Sequence, residues 1–185
     1  MRMSKSAGIK IGMAAAVVAV VLGIALWQRA PNVAEVGGYP PDFTLPALGA
    51  GPADPASIHL SEHRGHVVLV NFWATWCPPC VEETPSLEAL SNNMRNLGVE
   101  VIGVSVDQDP AAIKKFVAEH HLSFPIARDP DQRVASQFGT LKFPETYILD
   151  RDGRVAEKII GATDWSDPKM VSFVENLARP SKASD

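Results

Sequence analysis

The two cysteines of this 185-residue chain, Cys77 and Cys80, are separated by two prolines and follow a run of apolar residues. The run, 67–73, predicts a buried strand, and the residues from Pro78 onward predict a helix. The first thiol would lie at a helix N-terminus, where the dipole stabilises a thiolate and lowers the thiol pKa. The second thiol would share its helical face and could close a disulfide. This arrangement predicts a redox-active dithiol.

Pro78 and Pro79 occupy the first turn of the predicted helix, where a missing N–H costs nothing and a fixed φ favours helix entry. Two other roles for the cysteine pair stay open. A structural zinc site normally has four protein ligands, and the chain has no second cysteine pair to complete one. A purely structural disulfide over so short a loop would remove little chain entropy. We therefore favour redox chemistry and predict neither a metal site nor a cofactor.

The N-terminal segment 11–28 carries no charge and is almost entirely apolar, and it follows a basic stretch, 1–10, without acidic residues. As a helix, 11–27 would be about 26 Å long, close to the bilayer hydrocarbon core of about 30 Å. The basic flank predicts that the N-terminus is cytoplasmic and that the rest of the chain lies outside the cytoplasm. We expect an uncleaved transmembrane anchor embedded in lipid. The alternative is a signal peptide whose cleavage releases the domain.

Composition divides the remainder into a linker at 29–40 that contains proline and glycine, a domain at 41–180 and a short tail at 181–185. From residue 31 onward the chain holds 13 basic and 21 acidic side chains. An acidic domain argues against nucleic acid as a partner. Its length suffices for one hydrophobic core. We expect a monomer.

Hydrophobic periodicity predicts alternating strands and helices in the domain. The predicted strands are 42–45, 57–60, 67–73, 99–106, 124–127, 146–149 and 155–160, and the predicted helices are 78–97, 109–121, 134–138 and 165–178. This order predicts an α/β fold in which helices cover both faces of a central mixed sheet. A buried stripe is predicted along the first helix: Val81, Leu87, Leu90, Met94 and Leu97. Trp165 is expected to be a buried residue of the last helix.

The cysteine motif and a second motif downstream resemble the thioredoxin superfamily. Within it, the chain is similar to the membrane-anchored TlpA/ResA/CcmG (DsbE) group of bacterial thiol–disulfide oxidoreductases. The resemblance covers about residues 40–178, and it is carried by 41–45 (PDFTL), 71–80 (NFWATWCPPC), Glu83, Pro85 and 143–150 (FPETYILD). It implies a thioredoxin-like fold with an N-terminal hairpin and an inserted strand and helix at about 99–122. It also implies a location at the bacterial inner membrane, with the domain facing the periplasm or another extracytoplasmic space.

The resemblance implies a role for each residue of the site. Cys77 would be the attacking thiolate, exposed at the surface, and Cys80 the more buried resolving thiol. Pro144 would be the cis-proline that faces the disulfide across a substrate groove. Because only about 5–6% of X–Pro bonds in folded proteins are cis, the resemblance alone carries this expectation. The other groove residues would be Trp76, Phe143, Pro78 and Pro79.

Two positions depart from related proteins. Thioredoxin has a buried aspartate six residues before its first cysteine, where this chain has Asn71, which cannot carry a proton. The resembled group instead tends to carry a glutamate three residues after the second cysteine, and Glu83 stands there. Burial would raise the pKa of such a carboxyl, which could accept a proton from Cys80. The alternative role of Glu83 is to complement the helix dipole. Phe143 replaces the small residue of several cytochrome-maturation members.

The function expected from these features is reduction of protein disulfides outside the cytoplasm, for example in apocytochrome c. A membrane electron donor of the CcdA or DsbD type would restore the dithiol. One alternative is a general TlpA-type reductase or isomerase of other envelope proteins. A thiol peroxidase is less favoured, because Ala74 stands where peroxiredoxins have a threonine. A copper or haem chaperone is also less favoured, because copper-delivery relatives usually space their cysteines by three residues.

Overall fold

The computed structural model describes residues 33–49 and 56–179, together with the single residue Val18. The chain divides into two units after Asn32, and the second unit contains the sheet and the helices that cover it. Apart from Val18, the expected transmembrane segment 11–28 lies outside the described residues, as does the tail 181–185. None of the helices in the described ranges is long and apolar enough to span a bilayer.

A five-stranded mixed sheet forms the centre of the domain. The strands in residues 33–49 and 56–179 are β1 (Thr44–Pro46), β2 (Ser57–His59), β3 (Val67–Trp73), β4 (Val99–Ser105), β5 (Ile126–Arg128), β6 (Glu145–Leu149) and β7 (Val155–Ile160). The order in the central sheet is β5-β4-β3-β6-β7. The β3, β4 and β5 strands run parallel, whereas β6 is antiparallel to both β3 and β7. The mixed sheet predicted from the sequence is therefore confirmed.

In the described part of the chain, three helices connect these strands and a fourth follows the last strand, and capping residues set where three of the four begin. The helices are α1 (Pro78–Met94), α2 (Pro110–Glu119), α3 (Arg133–Phe138) and α4 (Pro168–Ala178). Asp109 and Asp167 accept hydrogen bonds from the backbone N–H two residues later, at 2.8 Å each, and a proline follows each aspartate. Cys77 caps α1 in the same place. A side-chain cap followed by a proline is a favourable helix start.

The central strand β3 separates the two sides of the core, and all seven of its residues are buried. Phe72 packs edge-on against Phe138 of α3, with ring centroids 5.2 Å apart. Its neighbour Trp73 packs on the opposite side against Phe116 of α2, at 4.9 Å. Asn71 shares the side of Trp73, because alternate residues of a strand face the same way. Helices therefore cover both faces of the sheet, as expected.

The expected N-terminal hairpin and the inserted strand and helix are both present. β1 and β2 pair antiparallel with Leu45 opposite Ile58, and both of these side chains are buried. β4 and α2 form the insertion. The chain then enters β5, which pairs parallel to β4. Phe43 beside the hairpin reaches Phe138, with centroids 6.0 Å apart, so the hairpin packs over the α3 side of the core.

The structure corrects several helix and strand boundaries that were predicted from the sequence. α1 ends at Met94 and continues as a 3-10 turn, Arg95–Leu97, which closes at Gly98 with a φ of 78°. Because a 3-10 turn has three residues per turn, Leu97 leaves the buried stripe and is 52% exposed. Trp165 is fully buried, as expected, but it precedes α4, which starts at the Asp167 cap. The fifth strand starts two residues later than predicted, at Ile126.

Candidate active site

Cys77 and Cys80 form a disulfide at the N-terminus of α1, with Cα atoms 5.3 Å apart. The backbone N–H of Cys80 donates to Sγ of Cys77 at 3.3 Å, so the first sulfur occupies the capping position of the helix. A thiolate formed there by reduction would lie beside the positive end of the helix dipole. This geometry suits Cys77 to nucleophilic attack.

The expected exposure of Cys77 is not observed in the disulfide form. Cys77 is 5% exposed and Cys80 is 1% exposed, so both are buried, although Cys77 is the less enclosed of the two. The sulfur of Cys77 is bonded to that of Cys80, which turns the side chain toward the helix and away from solvent. The surface around the disulfide is instead formed by Trp76, which is 63% exposed, and by the exposed residues Pro78 and Pro79.

The loop before β6 supplies the other expected part of the groove. The Phe143–Pro144 peptide bond is cis, as the resemblance implied. Pro144 is buried, and its carbonyl accepts from Gly161 N–H at 2.9 Å, which ties it to the end of β7. The half-buried Phe143 ring meets the Trp76 ring edge-on, with centroids 6.2 Å apart. The two loops expected to bind substrate are therefore in contact.

Glu83 lies one helical turn after Cys80 and is 4% exposed. Its oxygen Oε1 accepts from Asn71 Nδ2 at 2.8 Å. Its oxygen Oε2 accepts from the backbone N–H of Thr163 at 3.1 Å and from the indole Nε1 of Trp165 at 3.4 Å. Burial raises the pKa of the Glu83 carboxyl, and these three hydrogen bonds only partly oppose the rise. No cation is among these partners, so Glu83 is a buried carboxyl suited to proton exchange.

Asn71 has a role that sequence reasoning missed. Its single amide nitrogen donates both to Glu83 and to Thr146 Oγ1, each at 2.8 Å, and thereby joins β3, α1 and β6. The position at which thioredoxin has an aspartate therefore serves in this chain as a hydrogen-bond donor to the carboxylate. The sequence shows that an acid is missing at this position, but it does not show the partners of Asn71, because Glu83 and Thr146 lie 12 and 75 residues away in the chain.

A second missed residue is Asp107, which follows β4 and is 4% exposed. Its carboxylate accepts from the backbone N–H and the hydroxyl of Thr75, at 2.9 and 2.7 Å, and from Ser105 Oγ at 2.8 Å. Thr75 stands two residues before Cys77, so Asp107 fixes the turn that leads into the disulfide. Nothing local in the sequence joins Asp107 to this turn, because 32 residues separate it from Thr75.

A third buried carboxylate, Glu145, directly follows the cis-proline but lies on the opposite side of the sheet from Glu83. Its Oε1 is 2.7 Å from Lys158 Nζ and 2.6 Å from the Tyr147 hydroxyl. Burial raises the pKa of Tyr147. Burial lowers the pKa of Lys158, but hydrogen bonds with Glu145 and Tyr147 outweigh this effect and the net change is upward. Glu145 is thus paired with a cation.

No ligand set for a metal is assembled among the residues that the structure describes, where no three His, Cys, Asp or Glu side chains are grouped suitably. His63 and His66 both approach Glu100 through Nδ1, at 2.5 and 3.5 Å.

Comparison with known proteins agrees with this geometry. The Redoxin family matches residues 35–176. Thiol-disulfide oxidoreductase ResA of Bacillus anthracis is 35% identical over 127 residues, which cover 69% of this chain and 70% of that protein. ResA of Oceanobacillus iheyensis is 33% identical over 147 residues, covering 79% and 76%.

A solved structure supports the same assignment. A protein of Chlorobium tepidum described as a thiol:disulfide interchange protein DsbE superposes with a TM-score of 0.71 at 26% identity, covering 78% of this chain and 99% of that one. The resemblance inferred from the motifs is confirmed. The chain belongs to the Redoxin family and is a thiol–disulfide oxidoreductase of the ResA/DsbE type.

Proposed function

We propose that the protein is a reductase of protein disulfides outside the cytoplasm, held at the membrane by residues 11–28, with apocytochrome c as a substrate. The observation that carries the reductase direction is the buried Glu83 one turn from Cys80. An ionised carboxylate at this place opposes the charge of a thiolate, so it makes the reduced form less stable. A dithiol whose reduced form is less stabilised is the better reductant.

The reaction begins with the reduced pair. The Cys77 thiolate attacks one sulfur of the substrate disulfide, which forms a mixed disulfide and releases the first substrate thiolate. The Cys80 thiol then transfers its proton to Glu83, and its sulfur attacks Sγ of Cys77. The substrate leaves as a second thiolate, which takes up the proton from Glu83. The first substrate thiolate takes a proton from solvent, so the products are two substrate thiols and the Cys77–Cys80 disulfide, and two electrons have passed to the substrate.

The rim of the disulfide favours a polypeptide substrate. Trp76 presents most of its indole to solvent, and Phe143 packs against it. Two aromatic rings beside a reactive cysteine offer apolar contacts to side chains that flank a substrate cysteine. Leu141, 90% exposed, extends this apolar rim along the loop that precedes the cis-proline. An unfolded apoprotein presents such side chains together with its cysteines.

The apolar segment 11–28 and the basic stretch 1–10 before it support a location of the domain outside the cytoplasm, in an oxidising compartment. Thiols there need a dedicated supply of electrons. A membrane protein of the CcdA or DsbD type is the proposed donor that reduces the Cys77–Cys80 disulfide after each turnover.

Trapping in the native cell envelope tests this function. Cys80→Ala removes the resolving thiol and leaves Cys77 able to form lasting mixed disulfides, whereas the matched control with both cysteines changed to alanine should trap nothing. Apocytochrome c among the trapped proteins is the expected result. Other envelope proteins alone would overturn the cytochrome substrate, and no trapped protein would overturn protein-disulfide reduction. A potential well above about −200 mV would contradict the reductase direction.

A further inference from the structure

The loop between β7 and α4 reaches across the fold to Glu83. Thr163 and Trp165 of this loop both donate to Oε2 of the carboxylate, at 3.1 and 3.4 Å, from positions 80 and 82 residues away in sequence. Trp165 is fully buried, so its indole N–H has no solvent alternative. A buried indole N–H without a partner costs free energy, and in this fold the carboxylate supplies that partner.

Ser86 connects the same loop to α1 without using the carboxylate. Its hydroxyl donates to the Glu83 carbonyl at 2.9 Å and accepts from the Trp165 backbone N–H at 3.2 Å. The backbone of the loop is therefore held in register with the first turns of α1. This second link means that loss of the indole N–H alone need not release the loop.

The two oxygens of Glu83 have different surroundings. Each carboxylate oxygen has two lone pairs. Oε2 meets two donors, Thr163 and Trp165, whereas Oε1 meets one donor, Asn71. One acceptor site on Oε1 therefore stays available in the described part of the chain. Cys80 lies one turn before Glu83, and residues three apart share a face of a helix, so the thiol formed by reduction of Cys80 lies on the same face of α1 as the carboxyl.

We propose that Thr163 and Trp165 are positioning residues of the active site, which saturate Oε2 of Glu83 and leave Oε1 to exchange the proton with Cys80. This inference rests on the proposed role of Glu83 in resolving the mixed disulfide. The β7–α4 loop would then take part in the proton transfer by positioning the Glu83 carboxylate.

The donors have a predictable electrostatic effect. Each N–H stabilises the ionised carboxylate, and removal of one therefore raises the pKa of Glu83 further. A base that is more often protonated accepts the Cys80 proton less readily at acidic pH. Trp165→Phe should accordingly slow resolution of the mixed disulfide by roughly threefold to tenfold on the acidic side of the profile.

Trp73→Phe is the matched control for Trp165→Phe. Trp73 is also a buried tryptophan, 4% exposed, and its Nε1 has no hydrogen-bond partner among the described residues. Both variants remove one indole N–H and part of one buried ring, but only Trp165→Phe takes a donor from Glu83. Glu83→Gln identifies the carboxyl signal of Glu83 in a titration and removes the titrating group.

The test is a titration of isotope-labelled glutamate side chains by NMR in the full chain with its disulfide intact. The pKa of Glu83 should rise in Trp165→Phe and stay unchanged in Trp73→Phe. In the unmodified protein the Trp165 indole N–H signal should follow the titration of Glu83, while that of Trp73 should not. This second measurement needs no variant, so it holds if Trp165→Phe does not fold.

The outcomes separate this inference from the proposed function. An unchanged Glu83 pKa in Trp165→Phe, or a Trp165 signal that ignores the Glu83 titration, would overturn the positioning role while leaving the role of Glu83 intact. If Glu83→Gln resolves mixed disulfides at the wild-type rate at every pH, the proton-accepting role of Glu83 fails instead, whatever Trp165 does.

Discussion

Glu83 and Glu145 are both buried carboxylates next to the active-site loops, and they differ in the partners that surround them. Glu83 meets an amide, a backbone N–H and an indole, all of them neutral. Glu145 meets the ammonium group of Lys158 at 2.7 Å, and the Tyr147 hydroxyl completes the cluster. The ammonium group of Lys158 forms an ion pair with Glu145, whereas burial raises the pKa of Glu83 despite its three neutral donors. Burial alone therefore does not distinguish the carboxylate that we propose as the proton acceptor, but the kind of partner does.

The largest effect expected from the different partners of Glu83 and Glu145 is on the rate of disulfide reduction. Glu83→Gln should lower the rate of disulfide reduction in a protein substrate such as insulin by roughly a hundredfold near neutral pH, because a positioned general base is lost. Glu145→Gln should change the same rate by less than about threefold. Stopped-flow or steady-state turnover of the two variants checks this. Equal losses in both would remove the functional distinction between the carboxylates.

The free energy of unfolding should be lowered more by Glu145→Gln than by Glu83→Gln. Glu145→Gln leaves Lys158 without its ionic partner in a largely buried place and should cost about 1–3 kcal/mol of unfolding free energy. Denaturant unfolding measures this cost. In the double variant with Lys158→Met the two losses should not add, because each single variant breaks the same pair. Additive losses would show that the pair does not act as a unit.

The pH dependence of stability should come from Glu83. Its folded-state pKa lies above its ordinary value of 4.5, so the folded protein binds more protons than the unfolded chain between the two values. Stability then falls as pH rises through that window, by at most about 1.4 kcal/mol per pH unit. The unfolding free energies of the wild type and of Glu83→Gln are measured from pH 4 upward. The difference between them isolates the contribution of Glu83 to the pH dependence of stability. A difference that does not change with pH would contradict the raised pKa.

A smaller effect is expected at Asp107, another buried carboxylate, which orients the turn before the disulfide. Thr75→Val removes one donor to Asp107 while keeping the shape of the side chain, and should cost about 1 kcal/mol of stability. Thr84→Val is a suitable control, since the Thr84 hydroxyl bonds only the Cys80 carbonyl within α1. Reduction of activity in Thr75→Val beyond its loss of stability would show that the turn geometry matters for the reaction.

The parts of this site that could be predicted are those with a local signal. An apolar run, a cysteine pair and two prolines at the helix start mark β3 and α1 in a few adjacent residues. The role of Glu83 was expected only through the resemblance, which places a glutamate three residues after the second cysteine. The partners of Glu83 could not be predicted, because Asn71 lies 12 residues away and Trp165 lies 82 residues away in the chain. Their contact depends on how β3 and the β7–α4 loop are placed by the folded sheet.

The wrong expectations have local physical causes. Leu97 continues the helical spacing of apolar residues, but the change from an α-helix to a 3-10 turn moves it out of the buried stripe. Cys77 was expected at the surface, but in the disulfide form it is buried, and Trp76, Pro78 and Pro79 form the surface around it. The cis bond before Pro144 was expected only through the resemblance, because most X–Pro bonds in folded proteins are trans.

The central claim is that the proton of Cys80 passes to Glu83, and resolution of a defined mixed disulfide tests it most directly. Reduced protein is loaded at Cys77 with a chromogenic thiol, and release of that thiol by Cys80 is followed as a function of pH in the wild type and in Glu83→Gln. The account predicts a wild-type rate that falls on the acidic side as Glu83 becomes protonated, and a slow variant without this acidic limb. The same rate and the same limb in both proteins would contradict it.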